Sequence, residues 1–358
     1  MTGIALNGRF LTQGMTGVQR FATEIVAAAD VLAATGEWPA VRVLHPAGAR
    51  DAGLRHLRAE SVGSRGGQAW EQLDLPRALK GEVLVNLGNT APLMAGGRQA
   101  VVIHDAGAFD TPESYSFAFR TWYRLLQTRL ARRGAQILTV SEFSRGRIAA
   151  ALGIDAASIG VLPEGGEHIL RFPADGAVLA KHGLTPGRFA LVVGNPAAHK
   201  NLAALTAAAA TLGAHGLTLA VAGAADPAVF RAGGGIAAEA ARVLGRVSDA
   251  ELRTLYENAL CLIFPSRYEG FGLPPLEAMV CGCPVIAARA GAVPEVCADA
   301  ALWFDTARPA SLQDAVGRLA TDRGLQAHLR AAGIARGAGF TWDAAARRLL
   351  ALVQERFR

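Results

Sequence analysis

Residues 267–279 read RYEGFGLPPLEAM and place two acids, Glu269 and Glu277, eight positions apart. The apolar run LCLIF at residues 260–264 comes just before them and predicts a short buried strand. Glu269 is therefore expected on the loop at the carboxyl end of that strand, and Glu277 one to two turns into the next helix. Pro274 and Pro275 fit the first turn of this helix, where the N–H groups that proline lacks would have no partner.

The start of this helix also predicts a place for a phosphate. Near Gly272 and Leu273 the backbone N–H groups would point out of the helix, and the helix dipole favours an anion there. Open α/β sheets bind their ligands in the crevice at the carboxyl ends of the strands. A solvated helix start would not need the Gly-Phe-Gly-Leu-Pro-Pro run, so we interpret the stretch as a ligand site.

Short apolar segments alternate with helical ones along the chain, which predicts parallel sheets built from βαβ units. The strands predicted in the first half are residues 3–7, 41–45, 83–86, 100–104, 137–140 and 159–162. Those predicted in the second half are 189–193, 217–222, 241–244, 260–264, 285–287 and 302–304. Helices are predicted at residues 18–34, 115–133, 142–152 and 342–356, among others. This pattern predicts two Rossmann-like domains with a linker near residues 165–186.

The RYEGFGLPPLEAM stretch resembles the Glu-x7-Glu signature of the GT4 family, whose members are retaining glycosyltransferases with the GT-B fold. The resemblance implies two Rossmann-like domains that face each other across a cleft. Residues 1–165 would bind the acceptor and residues 166–340 the nucleotide sugar, with the helix of residues 341–358 packing back on the first domain. Glu269 would be a catalytic residue beside the donor sugar, and Glu277 would hold the nucleotide ribose.

A lysine follows the strand predicted at residues 189–193, in the segment GNPAAHKN of residues 194–201. Its ammonium group supplies a point charge at a strand-to-helix turn. The segment resembles the diphosphate clamp of the family, usually an arginine followed by Lys-Asn, so Lys200 is expected to act on the phosphates. Asn195 stands near the place of the arginine. Either His199 or Arg267 replaces the missing charge, or the site works with less.

Three further segments extend the resemblance to most of the chain. His104 ends a predicted strand and resembles a histidine that approaches the donor sugar, although it could also form a helix-capping pair with Asp105. The loop before Gly17 resembles the glycine loop near the donor phosphates, and the backbone of Val247 would border the base. The implied donor-binding residues are Gly17, Gly194, Asn195, Lys200, Val247, Arg267, Gly270, Phe271, Gly272, Leu273 and Glu277, and the implied catalytic ones are Glu269, His104 and Lys200.

The composition limits the classes of function. The chain has 358 residues, of which 51% are hydrophobic, enough for two domains of roughly 100–200 residues each. The net charge of +6 is spread over both halves, which argues against a nucleic-acid partner. The four cysteines lack a histidine cluster, so we expect small buried thiols in a reducing cytoplasm rather than metal ligands. The start of the chain lacks the basic and apolar regions of a signal peptide, and we expect a cytoplasmic protein.

Arginines and aromatic residues interleave near residues 116–147. Seven arginines stand there against the single acid Glu142: residues 120, 124, 129, 132, 133, 145 and 147. Such a surface can lie on an anionic membrane or hold a lipid diphosphate, which would place the protein peripherally on the inner face of the plasma membrane. The alternative is a helix with core aromatics and a solvated arginine face.

The resemblance to the GT4 family implies a retaining glycosyltransferase, which we expect to serve bacterial surface-polysaccharide synthesis. The donor would be a nucleoside-diphosphate sugar, with GDP-mannose as first guess because the opening RFLTQGMTGVQR, residues 9–20, resembles surface-polysaccharide transferases. The acceptor would be a glycan or a polyprenyl-diphosphate-linked oligosaccharide. With no Asp-x-Asp motif in a suitable loop, no essential metal and no cofactor are expected. Two alternatives stay open: a GT-B-fold sugar-nucleotide epimerase, and a non-catalytic nucleotide-sugar-binding partner of another transferase.

Overall fold

The computed structural model describes residues 3–194, 197–223, 241–308 and 310–358. They form two compact units, the first made of Met1–Gly165 with Thr341–Arg358 and the second of Gly166–Phe340. Each unit contains one parallel β-sheet with helices between its strands. The predicted α/β class with two Rossmann-like units is therefore confirmed.

The sheet of the first unit has seven strands in the order β3-β2-β1-β4-β5-β6-β7. Its strands are β1 Ile4–Asn7, β2 Arg42–His45, β3 Arg58–Ser61, β4 Val83–Asn86, β5 Gln99–Val102, β6 Gln136–Thr139 and β7 Gly160–Val161. Its helices before the second unit are α1 Gly17–Ala34, α2 Gly67–Ala69, α3 Leu75–Ala78, α4 Gly107–Asp110, α5 Phe117–Arg132 and α6 Glu142–Leu152. The strand order reverses between β1 and β4, which creates a switch point there.

Within the described residues, the sheet of the second unit has six strands in the order β10-β9-β8-β11-β12-β13. They are β8 Phe189–Val193, β9 Thr218–Ala222, β10 Ala241–Gly245, β11 Cys261–Phe264, β12 Val285–Ala288 and β13 Ala301–Phe304. The helices are α7 Ala177–Lys181, α8 Leu205–Ala214, α9 Asp249–Asn258, α10 Leu273–Val280, α11 Val293–Cys297, α12 Ala310–Thr321 and α13 Arg323–Gly337. Here the switch point lies between β8 and β11.

The sequence analysis missed strand β3, which forms the edge of the first sheet. Its sequence is RAES, and three of its four residues are exposed. Natural edge strands carry polar side chains that discourage pairing with other chains, so β3 lacks the apolar run that marks a buried strand. The missed helical turns α2 and α3 flank a π-helical turn, Trp70–Asp74, that interrupts the regular helix period.

A buried ion pair lies at the switch point of the first sheet. The Arg9 guanidinium lies 3.1 Å from the carboxylate of Glu71, which is only 1% exposed. Arg9 also donates a hydrogen bond to the Thr90 hydroxyl at 2.8 Å, and the Asn7 amide donates to Glu71 at 2.8 Å. Such additional bonds are needed because removing both charges from water offsets much of their attraction.

The last helix of the chain, α14 Trp342–Arg356, belongs to the first unit and packs on α1. The Trp342 ring is 2% exposed and meets the ring of Phe21 edge-on, with centroids 5.9 Å apart. Gln136 donates to the Leu352 carbonyl at 3.0 Å, which ties the helix to β6 as well. Its apolar side thus completes the hydrophobic core of this unit.

The cysteines are buried, apart from the half-buried Cys281. Burial raises the pKa of the Cys261 and Cys297 thiols to about 12. Because the thiolate is the reactive form, these thiols are inert near neutral pH. None of the helices in the described part of the chain is long and apolar enough to cross a membrane.

Trp342→Ala should destabilise the first unit by about 3–5 kcal/mol, the usual cost of removing a large buried ring. Hydrogen exchange measured by mass spectrometry should show faster exchange in α1 and α14 than in the wild type. The matched control is Trp303→Ala on β13 in the second unit. Unchanged protection of α1 in Trp342→Ala would contradict the packing described above.

Candidate functional site

Two loops meet at the switch point of the second sheet, one after β8 and the other after β11. The Arg267 amide donates to the His199 carbonyl at 2.8 Å. The side-chain amide of Asn201 donates to the Pro265 carbonyl at 3.2 Å. These bonds hold side by side two loops that are far apart in the chain.

Lys200 and Glu269 form an ion pair between these loops. The Lys200 ammonium donates to a Glu269 carboxylate oxygen at 2.6 Å, and the two side chains are 19% and 14% exposed. The ammonium nitrogen also lies 5.7 Å from the centre of the Phe264 ring. Partial burial strengthens such an attraction relative to open water. The structure thus brings two of the predicted catalytic residues into direct contact.

A third loop, which follows β12, packs against the backbone of Glu269. The Ala292 amide donates to the Glu269 carbonyl at 3.1 Å. Gly291 has a φ of +60°, and a Cβ atom there would lie 2.7 Å from the backbone nitrogen of Glu269. Position 291 therefore requires glycine, both for its backbone conformation and for this close approach.

Helix α10 begins at Leu273, four residues after Glu269, and contains Glu277 as predicted. Gly272 caps it with a φ of +115°, and Pro274 and Pro275 occupy its first turn. The Phe271 ring is 5% exposed and packs edge-on against Phe340, with centroids 6.0 Å apart. The buried ring anchors the loop that leads from Glu269 to the amino-terminal end of α10.

Glu277 lies in the second turn of α10 and is only 6% exposed. One carboxylate oxygen lies 3.0 Å from the Nε2 atom of His168, and the other accepts a hydrogen bond from the Tyr256 hydroxyl at 2.9 Å. Burial, together with the neighbouring Glu277, raises the pKa of the Tyr256 hydroxyl well above its ordinary value. Tyr256 therefore remains a protonated donor.

His104 lies in the first unit, just beyond the end of β5, and is buried. Its Nε2 atom is 3.0 Å from the Leu87 carbonyl oxygen, and its Nδ1 atom is 3.6 Å from a carboxylate oxygen of Glu164. The ring also meets Phe21 edge-on, with centroids 4.7 Å apart. Since a carbonyl only accepts, Nε2 carries the hydrogen in this contact. The imidazole is thus fixed by contacts within its own unit.

The other predicted donor residues lie at strand and helix ends. Gly17 is the first residue of α1, and Gly194 follows β8 with a φ of +150°. Val247 precedes Ser248, which caps α9 and forms a capping box with Glu251. Asn195, at the place of the expected arginine, lies outside the described residues.

Three residues that contact predicted site residues of their own unit were not predicted: Glu164 beside His104, and His168 and the hydroxyl of Tyr256 beside Glu277. Glu164 stands just before the passage interpreted as a linker and His168 stands within it, on either side of Gly165 and Gly166. The signal in the sequence that could have indicated these two residues is a carboxylate and an imidazole on either side of a glycine pair. The partner of His168 is 109 positions away, a distance over which no local pattern extends.

Comparisons with known proteins find a family and similar chains. A family model described as "Glycosyl transferases group 1" matches residues 179–336, all within the second unit. The chain is 32% identical over 257 residues to O-antigen chain mannosyltransferase B of Escherichia coli, a match that covers 69% of this chain and 67% of that protein. It is 28% identical over 249 residues to O-antigen chain mannosyltransferase RfbU of Salmonella typhimurium, covering 65% and 66% of the two chains.

A solved structure resembles the chain over its whole length. Sucrose-phosphate synthase from Thermosynechococcus elongatus superposes with a TM-score of 0.76 at 19% identity, covering 100% of this chain and 99% of that one. At this identity the likeness concerns the fold, and it confirms the predicted GT-B fold.

Glu269→Gln should tighten the binding of inorganic pyrophosphate, because the anion no longer competes with a carboxylate for Lys200. We expect a roughly tenfold lower Kd, equivalent to about 1.4 kcal/mol, measured by isothermal titration calorimetry. Glu257→Gln is the control, since Glu257 pairs with Arg253 on α9 at 2.7 Å. Weaker or unchanged binding in Glu269→Gln would show that Lys200 does not receive the anion.

Proposed function

This chain belongs to the glycosyl transferases group 1 family, and we propose that it transfers mannose from GDP-mannose to a glycan acceptor in bacterial surface-polysaccharide synthesis. The observation that carries the proposal is the Lys200–Glu269 pair at the switch point of the second sheet, with Glu269 on the loop that leads into α10. The names of the two O-antigen mannosyltransferases support mannose as the sugar. The acceptor is a growing glycan or a polyprenyl-diphosphate-linked oligosaccharide.

The donor diphosphate binds to Lys200 and to the amides at the start of α10. The ammonium group and the helix dipole both favour the negative charge that grows on the diphosphate as the sugar–oxygen bond breaks. This protein charge takes the role that a metal ion has in other transferases, so the reaction is metal-independent. Phe271 and Gly272 shape the loop that holds these amides.

The reaction retains the configuration of the sugar. The acceptor hydroxyl attacks the anomeric carbon on the face from which the diphosphate departs, and a diphosphate oxygen takes the hydroxyl proton. The protein contributes chiefly by positioning the reactants. Glu269 lies against the donor sugar once the diphosphate has engaged Lys200, and Glu277 accepts hydrogen bonds from the ribose.

Lys200→Ala should lower the turnover of GDP-mannose by about two to three orders of magnitude, the usual effect of removing one group that stabilises transition-state charge. Lys181→Ala is the control, because Lys181 is 62% exposed at its side chain and lies 3.6 Å from Glu251. The measurement is release of GDP and labelled mannose from the donor, with and without acceptor.

Other outcomes of that assay distinguish the alternatives. Wild-type turnover in a folded Lys200→Ala variant would contradict the diphosphate role. Donor binding with no release of GDP would identify a non-catalytic nucleotide-sugar-binding protein. Conversion of the donor into an isomeric nucleotide sugar would identify an epimerase.

Helix α5 gives the protein a surface for an anionic bilayer on the cytoplasmic side. Phe117 and Leu125 are 72% and 43% exposed, and their spacing places them on one stripe with the exposed Arg129 and Arg132. Met94, on the neighbouring turn, is 65% exposed. Apolar side chains flanked by arginines favour the boundary between lipid headgroups and acyl chains.

Three other arginines near α5 form ion pairs or hydrogen bonds within the protein. Arg147 pairs with Asp110 at 2.6 Å, and Arg145 pairs with Glu142. The Arg124 guanidinium donates to the Ala108 carbonyl at 2.7 Å. These three guanidinium groups have partners within the protein, whereas the side chains of Arg129 and Arg132 are exposed.

Replacing Arg129 and Arg132 together by Gln should weaken binding to phosphatidylglycerol-containing vesicles by about 2 kcal/mol, since each arginine near an anionic surface contributes about 1 kcal/mol. Vesicle cosedimentation at increasing salt measures the effect. The matched control removes the exposed Arg55 and Arg58 near β3, which changes the net charge equally. Equal losses in both double variants would indicate attraction by net charge without a specific surface.

A further inference from the structure

Glu277 is held by one hydrogen-bond donor at each of its carboxylate oxygens. The donors are His168 at 3.0 Å and Tyr256 at 2.9 Å. A carboxylate only accepts, so the Nε2 atom of His168 carries the hydrogen. Because each carboxylate oxygen has two acceptor sites, this arrangement leaves one site on each oxygen for a further donor.

His168 reaches Glu277 because the chain passes very close to α10. His168 lies on a 3-10 turn, Glu167–Arg171, and its ring is completely buried. A Cβ atom on Gly166 would lie 2.7 Å from the side chain of Leu276. The absence of a side chain at position 166 therefore allows the approach that brings the imidazole to the carboxylate.

Tyr256 reaches Glu277 from the other side, on α9. Its ring is completely buried, and it lies in the third turn of a helix whose start is fixed by the Ser248–Glu251 capping box. Both donors to Glu277 are thus rigidly placed by elements of the second unit. Their hydrogen bonds fix the plane of the carboxylate, which a lone glutamate on a helix would be free to rotate.

We propose that His168 and Tyr256 are positioning residues that orient the Glu277 carboxylate toward the two ribose hydroxyls of the nucleoside-diphosphate donor. This inference rests on the proposed function, in which Glu277 binds the ribose. Two fixed oxygens, each with one remaining acceptor site, match a vicinal diol that donates two hydrogen bonds. The arrangement discriminates against deoxyribose, because a missing hydroxyl leaves a buried carboxylate oxygen short of a donor.

The test compares GDP with 2′-deoxy-GDP by isothermal titration calorimetry. The wild type should prefer GDP by at least about tenfold, or 1.4 kcal/mol. Tyr256→Phe and His168→Leu should each reduce this preference to about threefold or less, while the affinity for 2′-deoxy-GDP changes little. His168→Gln keeps an N–H donor near the position of Nε2 and should retain most of the preference.

Tyr115→Phe in the first unit is the control for removal of a tyrosine hydroxyl and should preserve the preference. If Tyr256→Phe and His168→Leu keep the wild-type preference, or lose affinity equally for both nucleotides, the positioning role is wrong and the contacts serve only packing. UDP and 2′-deoxy-UDP are compared in the same way. If the wild type binds neither GDP nor UDP, the proposed function itself is wrong.

Discussion

The ion pair between Lys200 and Glu269 joins two loops, and the two residues are 69 positions apart in the sequence. Their strands, β8 and β11, are neighbours in the second sheet. Parallel neighbours cannot be connected by a short turn, so contacts between the loops must hold them together. The Lys200–Glu269 pair and the bond from Arg267 to His199 do this at the switch point. The glycine at position 291 then allows a third loop to pack against the same glutamate.

The segment in which the chain passes from the first unit to the second contacts one predicted site residue in each unit. On the side of the first unit, Glu164 lies 3.6 Å from the ring of His104. On the side of the second unit, His168 lies 3.0 Å from Glu277. Each contact joins a residue close to the boundary between the units to a predicted site residue of the same unit. The residues on both sides of this boundary therefore help to hold predicted site residues in place.

The sequence predicts the parts of the fold that have a local pattern. The apolar strands and the turn around Gly272 carry their signals within a few residues, and they lie where expected. The polar edge strand β3 has no such signal. His168 could not be assigned because its role depends on a partner in a distant helix. For His104, the sequence predicts the position at the end of β5 but not the contacts with Leu87 and Glu164 that fix the ring, and its catalytic role stays a prediction.

The two glutamates of the RYEGFGLPPLEAM stretch differ in the kind of partner they have. Glu269 faces the flexible ammonium group of Lys200, which a phosphate can also bind. An anionic ligand can therefore compete with the Glu269 carboxylate for this ammonium group. Glu277 faces two buried donors on rigid elements, which a ligand would not displace. In the proposed function, a diphosphate on Lys200 would take over the ion-pair partner of Glu269, whereas Glu277 would keep its two donors. The same motif thus contains one carboxylate paired with an ammonium group at a loop and one held by two buried donors.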